Sequence, residues 1–95
     1  MFVIILTYKA PLTTIDQFLP LHVEYLKEQY RLGRFIASGR RRPRVGGVIL
    51  SNLDNKEAVN TVINSDPFKI NGVADYEIIE FLPSMTSKEL EFLIN

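Results

Sequence analysis

The stretch FVIILTY, residues Phe2–Tyr8, decides the fold, because it has the composition of a strand but lacks the polar face that most strands keep. Successive side chains of a strand point to opposite faces of its sheet. In this stretch both sets of side chains are almost entirely apolar. A sheet covered by helices on one side only is expected to alternate apolar with polar residues. We therefore predict that both faces of this sheet are covered.

Residues 45–52 show the same property further along the chain, since Val45 and Ile49 oppose Val48 and Leu50. Leaving such a face in water would expose an apolar patch larger than the roughly 300–600 Å2 found on a typical monomer. Packing it against the same face of a second copy removes that patch, and two-fold pairs are the commonest assemblies. The sequence therefore predicts a homodimer formed through the open sheet face.

Capping and turn signals indicate the order of the elements. Thr14 followed by Gln17 has capping-box form, and Gly33 is placed to end the long helix that follows. Pro20 lies within this stretch, so either the helix kinks there or its main part begins near Leu19. The predicted elements are a strand over residues 2–8, a helix over 14–32, strands over 34–39 and 45–52, a second helix opened by the capping box Asp54-Asn55-Lys56-Glu57, a strand over 73–81 and a short C-terminal helix within 86–95.

The element order βαββαβ with a helical tail is typical of the ferredoxin-like split, an α+β fold. It places both helices on one face of a four-stranded antiparallel sheet. The chain has 95 residues, the size of one ordinary domain. We therefore predict a single domain over residues 1–95, with residues 86–95 as its helical tail.

Composition excludes several classes of function. The formal net charge is zero and there is no cysteine, so no global charge attracts nucleic acid and no thiolate can bind zinc. One histidine among scattered carboxylates has no ligand spacing, and Gly46-Gly47 indicates a bulge or a close backbone approach rather than a dinucleotide motif. The apolar N-terminal stretch is too short to span a membrane. We expect a cytoplasmic protein with no metal, no cofactor and no membrane partner.

Two polar residues stand out as candidates for chemistry. His22 projects near the middle of the apolar stripe of the first helix, where it is either a hydrogen-bonded core histidine or a general acid or base facing a pocket. Asp66 precedes Pro67, which favours an extended turn, and it is also a carboxylate that the fold can bring towards His22. Both interpretations stay open for each residue at this point.

Several short motifs, in their order and spacing over residues 2–81, resemble those of YciI-like (YCII-related) proteins. They are LHVEYL at residues 21–26, LGR at 32–34, ASG at 37–39, GGVIL at 46–50, SDPF at 65–68 and GV at 72–73. The resemblance implies a dimeric α+β barrel with a histidine–aspartate pair in a cleft, which would fall on His22 and Asp66. Relatives of this family in fold include muconolactone-isomerase-like and dehydrochlorinase-like enzymes, although a fold does not fix a function.

The segment Arg40-Arg41-Arg42-Pro43-Arg44 departs from the family, which often has proline after the glycine at position 39. Four arginines in five positions are the one local charge anomaly of a neutral chain. The segment is either a solvated hairpin loop or an anion clamp over the mouth of a pocket, since guanidinium groups bind carboxylate and phosphate. Nucleic-acid binding is a third and weaker hypothesis, because no aromatic platform is interleaved with the arginines.

The hypothesis that combines these features is proton transfer on a small organic acid, as in a lyase or an isomerase. Asp66 would orient His22, which takes a proton from a carbon next to a carbonyl or carboxylate. Ser38 and the backbone at Gly39 would hold the polar group, and Arg40 would pair with a carboxylate. The competing hypothesis is a non-catalytic dimeric module that binds a small molecule in the same cleft.

Overall fold

A computed structural model of the chain describes residues 1–94. Its strands are β1 (Phe2–Tyr8), β2 (Phe35–Arg40), β3 (Gly46–Ser51) and β4 (Ala74–Glu80). Its helices are α1 (Leu12–Arg31), α2 (Lys56–Ile63) and the single turn α3 (Pro67–Ile70), followed by a C-terminal 3-10 helix over Lys88–Leu93. The predicted elements are all present. The bounds of β1 agree with the prediction, and each end of the other three strands differs from it by one residue.

The four strands form one antiparallel sheet in the order β2-β3-β1-β4. This order follows from the split strand–helix–strand units, because the strand that ends each unit pairs beside a strand of the other unit. The prediction of a ferredoxin-like α+β fold with a four-stranded antiparallel sheet is therefore confirmed. β1 lies in the centre of the sheet, between β3 and β4.

The two faces of the sheet have different neighbours. Ile4 of β1 lies between Ile49 and Ile78 in register, on the face that packs against the helices. The core there joins β1 to all three helices; its buried apolar residues include Phe2, Ile4, Leu6, Ile15, Tyr25, Val59, Val62, Ile63 and Phe68. Each such side chain contributes roughly 1.5–3 kcal/mol to the free energy of unfolding when fully buried.

The opposite face of the sheet is also mainly apolar. Ile5 lies between Val48 and Glu77, and its neighbour Val3 lies in register between a leucine of β3 and an isoleucine of β4. The residues of β1 and β3 at these positions are half-buried and those of β4 are exposed, whereas Phe2, Ile4 and Leu6 of β1 are buried on the helix side. β1 and β3 are thus apolar on both faces, as their sequence indicates, whereas β4 places Asp75 and Glu77 on the open face. What covers the open face stays a prediction.

The boundaries of α1 correct two details of the sequence analysis. α1 begins at Leu12 with Pro11 as its N-cap, so Thr14 is already inside the first turn, where its N–H donates to the Pro11 carbonyl at 2.9 Å. Pro20 lies within a continuous helix and neither ends it nor starts it. Its own N–H is missing, but α1 is held along its whole length by its buried stripe, which outweighs one lost hydrogen bond.

The second capping prediction is displaced by one residue. Asn55, not Asp54, is the N-cap of α2, and its side-chain oxygen accepts from the Ala58 N–H at 2.8 Å. The reason is that the extended backbone needed at an N-cap occurs at Asn55. The C-terminal helix is a 3-10 helix, and Ser87 precedes it without a side-chain capping bond. Residue 95 of the predicted tail lies outside the described residues.

A membrane-spanning helix must be both long and apolar. Among residues 1–94, no helix combines the length and the apolar character needed to cross a bilayer.

Candidate functional site

The geometry of the site begins with a pair of residues that lie 44 positions apart in the chain. His22, on the face of α1 that packs against the sheet, has 8% of its surface exposed, and its Nδ1 lies 2.8 Å from Oδ1 of Asp66. Asp66 is completely buried. A buried carboxylate must be hydrogen-bonded or paired to remain charged, and the imidazole supplies one such partner.

Asp66 owes its position to the turn between α2 and α3. Its backbone is extended, with φ −70° and ψ 125°, as the following Pro67 requires, and it serves as the N-cap of α3. The cap bond runs from the Phe68 N–H to Asp66 Oδ1 at 3.0 Å. Asp66 is therefore a turn residue, and the same turn aims its carboxylate at His22; its part in any chemistry stays a prediction.

The second oxygen of Asp66 has a partner that the sequence analysis missed. The hydroxyl of Tyr76, on β4, donates to Asp66 Oδ2 at 2.6 Å. The signal that could have found it is strand alternation, since Tyr76 pairs in register with Leu6 and so faces the helices. Asp66 is thus bound by groups from three separate elements of the fold: His22, Phe68 and Tyr76.

Aromatic contacts hold the plane of the imidazole. The His22 ring lies stacked on Phe68, with centroids 4.1 Å apart and planes 9° apart, and Tyr25 lies 6.1 Å away at 27°. The Tyr25 hydroxyl donates to the Val62 carbonyl at 2.9 Å. Stacking fixes the tilt of the imidazole ring, and the hydrogen bond to Asp66 fixes its rotation within its plane.

Tyr25, which is buried, and Tyr76, which is partly buried, both stay protonated at neutral pH. Burial, followed by the negative charge of Asp66, raises the pKa of Tyr25 well above its usual range. The same two causes, in the same order, together with the hydrogen bond to Asp66, raise the pKa of Tyr76 further. Tyr76 therefore offers Asp66 a hydroxyl proton throughout the neutral range.

His22 also lines a cleft beside the sheet. Within residues 1–94, its other ring nitrogen, Nε2, has no hydrogen-bond partner and is not fully buried. The cleft has a volume of about 240 Å3. Its lining is mainly apolar and comprises Leu6, Tyr8, Leu19, His22, Val23, Leu26, Ser38, Gly39, Arg40, Gly47, Val48, Ile49 and Phe68.

All three predicted binding residues line the same cleft as His22. Pairing of β2 with β3 sets Ser38 opposite Ile49 and Arg40 opposite Gly47, on the side of the sheet that faces α1. The Ser38 hydroxyl lies 2.7 Å from the hydroxyl of Tyr30 on α1. The structure thus brings Ser38, Gly39 and Arg40 to the cleft; their roles in binding stay predictions.

Glycines leave the space that the cleft occupies. Gly47 lies in register between Leu6 and Arg40, and a Cβ built there would meet only the Gly39 carbonyl oxygen, at 3.2 Å. Any larger side chain at position 47 would project into the cleft. Gly46 has a different role, because a Cβ there would lie 1.8 Å from the Leu6 carbonyl oxygen. The close backbone approach predicted for this pair therefore occurs at Gly46.

The four arginines of the loop do not act together. Arg41 donates to Thr7 Oγ1 at 3.1 Å, and Arg44 forms an ion pair with Asp16 of α1. Arg42 is exposed, and Arg40 alone lines the cleft. Within the described chain the Arg40 guanidinium has neither a hydrogen bond nor an ion pair of its own, so it can bind an anion. The clamp hypothesis thus reduces to one residue, and the other three belong to the hairpin.

A protein metal site needs several ligand side chains held close together. Residues 1–94 contain no group of three or more histidine, cysteine, aspartate or glutamate side chains placed to hold a metal ion.

Comparison with known proteins identifies the family. No protein of curated function matches the chain significantly. Among solved structures, the chain is similar to 5-chloro-2-hydroxyhydroquinone dehydrochlorinase from Burkholderia phenoliruptrix AC1100, in complex with 2,5-dihydroxybenzoquinone. The match has a TM-score of 0.71 at 15% identity and covers 85% of this chain and 93% of that one, which shows a shared fold. The family model of the YCII-related domain matches residues 1–82, and the chain therefore belongs to the YCII-related family.

Proposed function

We propose that this protein is an enzyme that transfers a proton on a small organic acid, with His22 as the base and Asp66 as the residue that orients it. The observation that carries the proposal is the hydrogen bond of 2.8 Å between His22 Nδ1 and Asp66 Oδ1, in a residue that lines a cleft and whose opposite nitrogen has no partner within residues 1–94. A base needs one nitrogen free for substrate and the other anchored to fix the tautomer. This arrangement meets both requirements.

The proposed step begins when a carbon acid binds in the cleft beside Nε2. His22 takes a proton from the carbon next to a carbonyl or carboxylate, and the negative charge of Asp66 stabilises the imidazolium that forms. In an isomerisation the imidazolium returns the proton to another carbon of the same molecule. In an elimination a leaving group departs with its electron pair, and the double bond forms between the two carbons.

Charge in the cleft favours an anionic substrate. The free guanidinium of Arg40 lies at the same cleft as the imidazole, and it is the cation there that can pair with a carboxylate. The Ser38 hydroxyl and the backbone at Gly39 lie beside it and supply further groups for an oxygen atom. The apolar remainder of the lining suits a small hydrocarbon body, as in ligand pockets generally.

The fold neighbour supports the chemical class only in outline. It is named as a dehydrochlorinase, which removes a leaving group, and it was solved with a hydroxylated quinone. At 15% identity this likeness establishes the fold, so the reaction of the present chain rests on its own residues.

We also propose that the working form is a homodimer, with the whole chain as one domain in each copy. The support is the apolar open face of the sheet, around Ile5 and Val48, which helices do not cover. Pairing of two such faces would remove it from water.

Exchange of carbon-bound hydrogen with solvent deuterium tests the proposal whatever the product of the reaction is. The protein is incubated in deuterium oxide with 2-oxobutanoate or 4-oxopentanoate, and loss of the signal from hydrogens next to the carbonyl is followed by NMR. We expect protein-dependent exchange that falls about 10^2–10^4-fold in His22→Gln, because the amide cannot act as a base.

Two outcomes contradict the proposal. Equal exchange in the wild type and in His22→Gln would exclude His22 as the base. If these acids and 2,5-dihydroxybenzoquinone shift the NMR signals of the cleft residues but none exchanges, the binding-module hypothesis takes its place.

A further inference from the structure

We propose that Tyr76 is a positioning residue for the His22–Asp66 pair, and that its hydroxyl sets how strongly the Asp66 carboxylate acts on the imidazole. The inference rests on the proposed function for its catalytic consequence, but not for its geometry. Tyr76 does not line the cleft, so it acts on the chemistry only through Asp66.

The hydrogen bonds to the Asp66 carboxylate are divided unequally between its two oxygens. Oδ1 takes part in two hydrogen bonds, with His22 Nδ1 and with the Phe68 N–H. Oδ2 accepts one, from the Tyr76 hydroxyl at 2.6 Å, in the short range typical of a hydroxyl bound to a charged acceptor. Within residues 1–94, Tyr76 is therefore the single donor to Oδ2.

A donor on Oδ2 draws negative charge away from Oδ1, where His22 binds. Removal of the Tyr76 hydroxyl should therefore leave more charge facing the imidazole and favour its protonated form. A more acidic phenol at the same position should do the opposite. The two changes predict displacements of the His22 titration in opposite directions, which a merely structural tyrosine would not produce.

Each variant keeps the ionisable groups around the imidazole apart from the tyrosine that it replaces. They are Tyr25 from α1 itself, Tyr8 from β1 and Arg40 from β2, together with Asp66 and Tyr76. Lys69 of α3 lies over the Tyr76 ring at 5.6 Å and does not depend on the hydroxyl.

Tyr25 offers a matched control. It is a core tyrosine that stacks beside His22, but its hydroxyl donates to the Val62 carbonyl rather than to Asp66. Tyr25→Phe and Tyr76→Phe each remove one buried hydroxyl and leave one buried acceptor without its donor. Loss of stability is thus common to both variants, whereas a direct effect on Asp66 is expected for Tyr76→Phe alone.

The test is an NMR pH titration of the His22 ring, which is unambiguous because the chain has one histidine. In Tyr76→Phe we expect the midpoint to rise by about half a pH unit, a roughly threefold change in the protonation equilibrium. In Tyr25→Phe we expect it within about 0.2 units of the wild type. In Tyr76→3-fluorotyrosine, which retains the ring and the hydroxyl but makes a more acidic phenol, we expect the midpoint to fall.

Equal midpoints in the wild type, Tyr76→Phe and Tyr25→Phe would overturn the inference. If Tyr76→Phe does not fold, the fluorotyrosine variant decides: a lower midpoint supports the inference and an unchanged one overturns it. Deuterium exchange by the same variants then separates the two proposals. A changed His22 midpoint in Tyr76→Phe, together with no deuterium exchange by the wild type, rejects the proposed function alone. Exchange whose pH profile is the same in the wild type and in Tyr76→Phe rejects the role of Tyr76 in catalysis.

Discussion

The imidazole of His22 lies almost parallel to the ring of Phe68, with 4.1 Å between the ring centroids. Phe68 is two residues after Asp66, and its own N–H donates to the Asp66 carboxylate that binds His22. One short turn, α3, therefore supplies the in-plane partner of the imidazole and the surface against which it stacks. The geometry of His22 therefore depends on Asp66, which does not line the cleft, as well as on Phe68, which does.

The stacking contact predicts the effect of Phe68→Leu. Leucine keeps most of the buried apolar volume and the backbone N–H bond to Asp66, but it removes the flat surface that holds the imidazole. We expect deuterium exchange to fall about tenfold or more, since small displacements of a catalytic group are costly. The loss in the free energy of unfolding should stay below the roughly 3–5 kcal/mol usual for Phe→Ala. Unchanged exchange in a folded variant would mean that stacking does not position the base.

Arg40 and Arg41 form a matched pair for testing anion binding. Arg40 lines the cleft, whereas the neighbouring Arg41 donates to Thr7 outside it. We expect Arg40→Gln to weaken the binding of 4-oxopentanoate, with KM about tenfold higher or more, and to leave binding of its methyl ester nearly unchanged, because the ester has no charge to pair. Arg41→Gln should affect neither compound. Similar losses for acid and ester in Arg40→Gln would argue against a carboxylate contact.

The open sheet face predicts the oligomeric state. The wild type should have the mass of a dimer in light scattering, and Ile5→Glu should have that of a monomer, because a carboxylate in a dry interface is strongly unfavourable. Leu21→Glu is the control, since Leu21 on α1 is 57% exposed and lies away from the sheet. A wild-type monomer, or a dimer that survives Ile5→Glu, would contradict the proposed interface.

Stability should decrease in alkaline solution because of Tyr25 and Tyr76. Burial and the charge of Asp66 raise the pKa of both groups above the unfolded value of about 10. The folded state therefore binds more protons than the unfolded state above that pH, and stability that is complete below about pH 10 is lost as the pH rises. Each group contributes a slope of up to about 1.4 kcal/mol per pH unit.

Urea unfolding between neutral pH and about pH 11 measures this slope, and tyrosinate absorbance of the native protein checks its origin. Tyr25→Phe should remove the contribution of one tyrosine from the loss of stability per pH unit. Ionisation of all four tyrosines near pH 10 in a protein that keeps its native circular dichroism would contradict the assignment.

Much of the fold could be predicted because its signals are local. The short, almost continuous apolar runs of β1 and β3, and the apolar stripe of α1, indicate element type within a few residues. The details that failed were also local but weak. Thr14 and Asp54 both match a capping pattern, yet Pro11 and Asn55 take the caps because the backbone enters the helix there.

The candidate site divides in the same way. His22 and Asp66 stand out as the one histidine and as an aspartate before proline, and Arg40 belongs to a charge anomaly. Tyr76 has no comparable mark, being one aromatic residue in a strand where aromatic residues are common. Its bond to Asp66 depends on β4 pairing with β1 in one register, which places residue 76 opposite Leu6.

The sequence by itself determined the element order, the sheet with two apolar faces and the residues able to carry a charge or a proton, because periodicity and side-chain chemistry are properties of neighbouring residues. Only the tertiary structure decided that His22, Phe68 and Tyr76 meet at one buried carboxylate, and that Arg40, among four arginines, reaches the cleft. The physical reason is that these contacts join α1, α3, β2 and β4, and their geometry is set by strand register and by the packing of helices on the sheet.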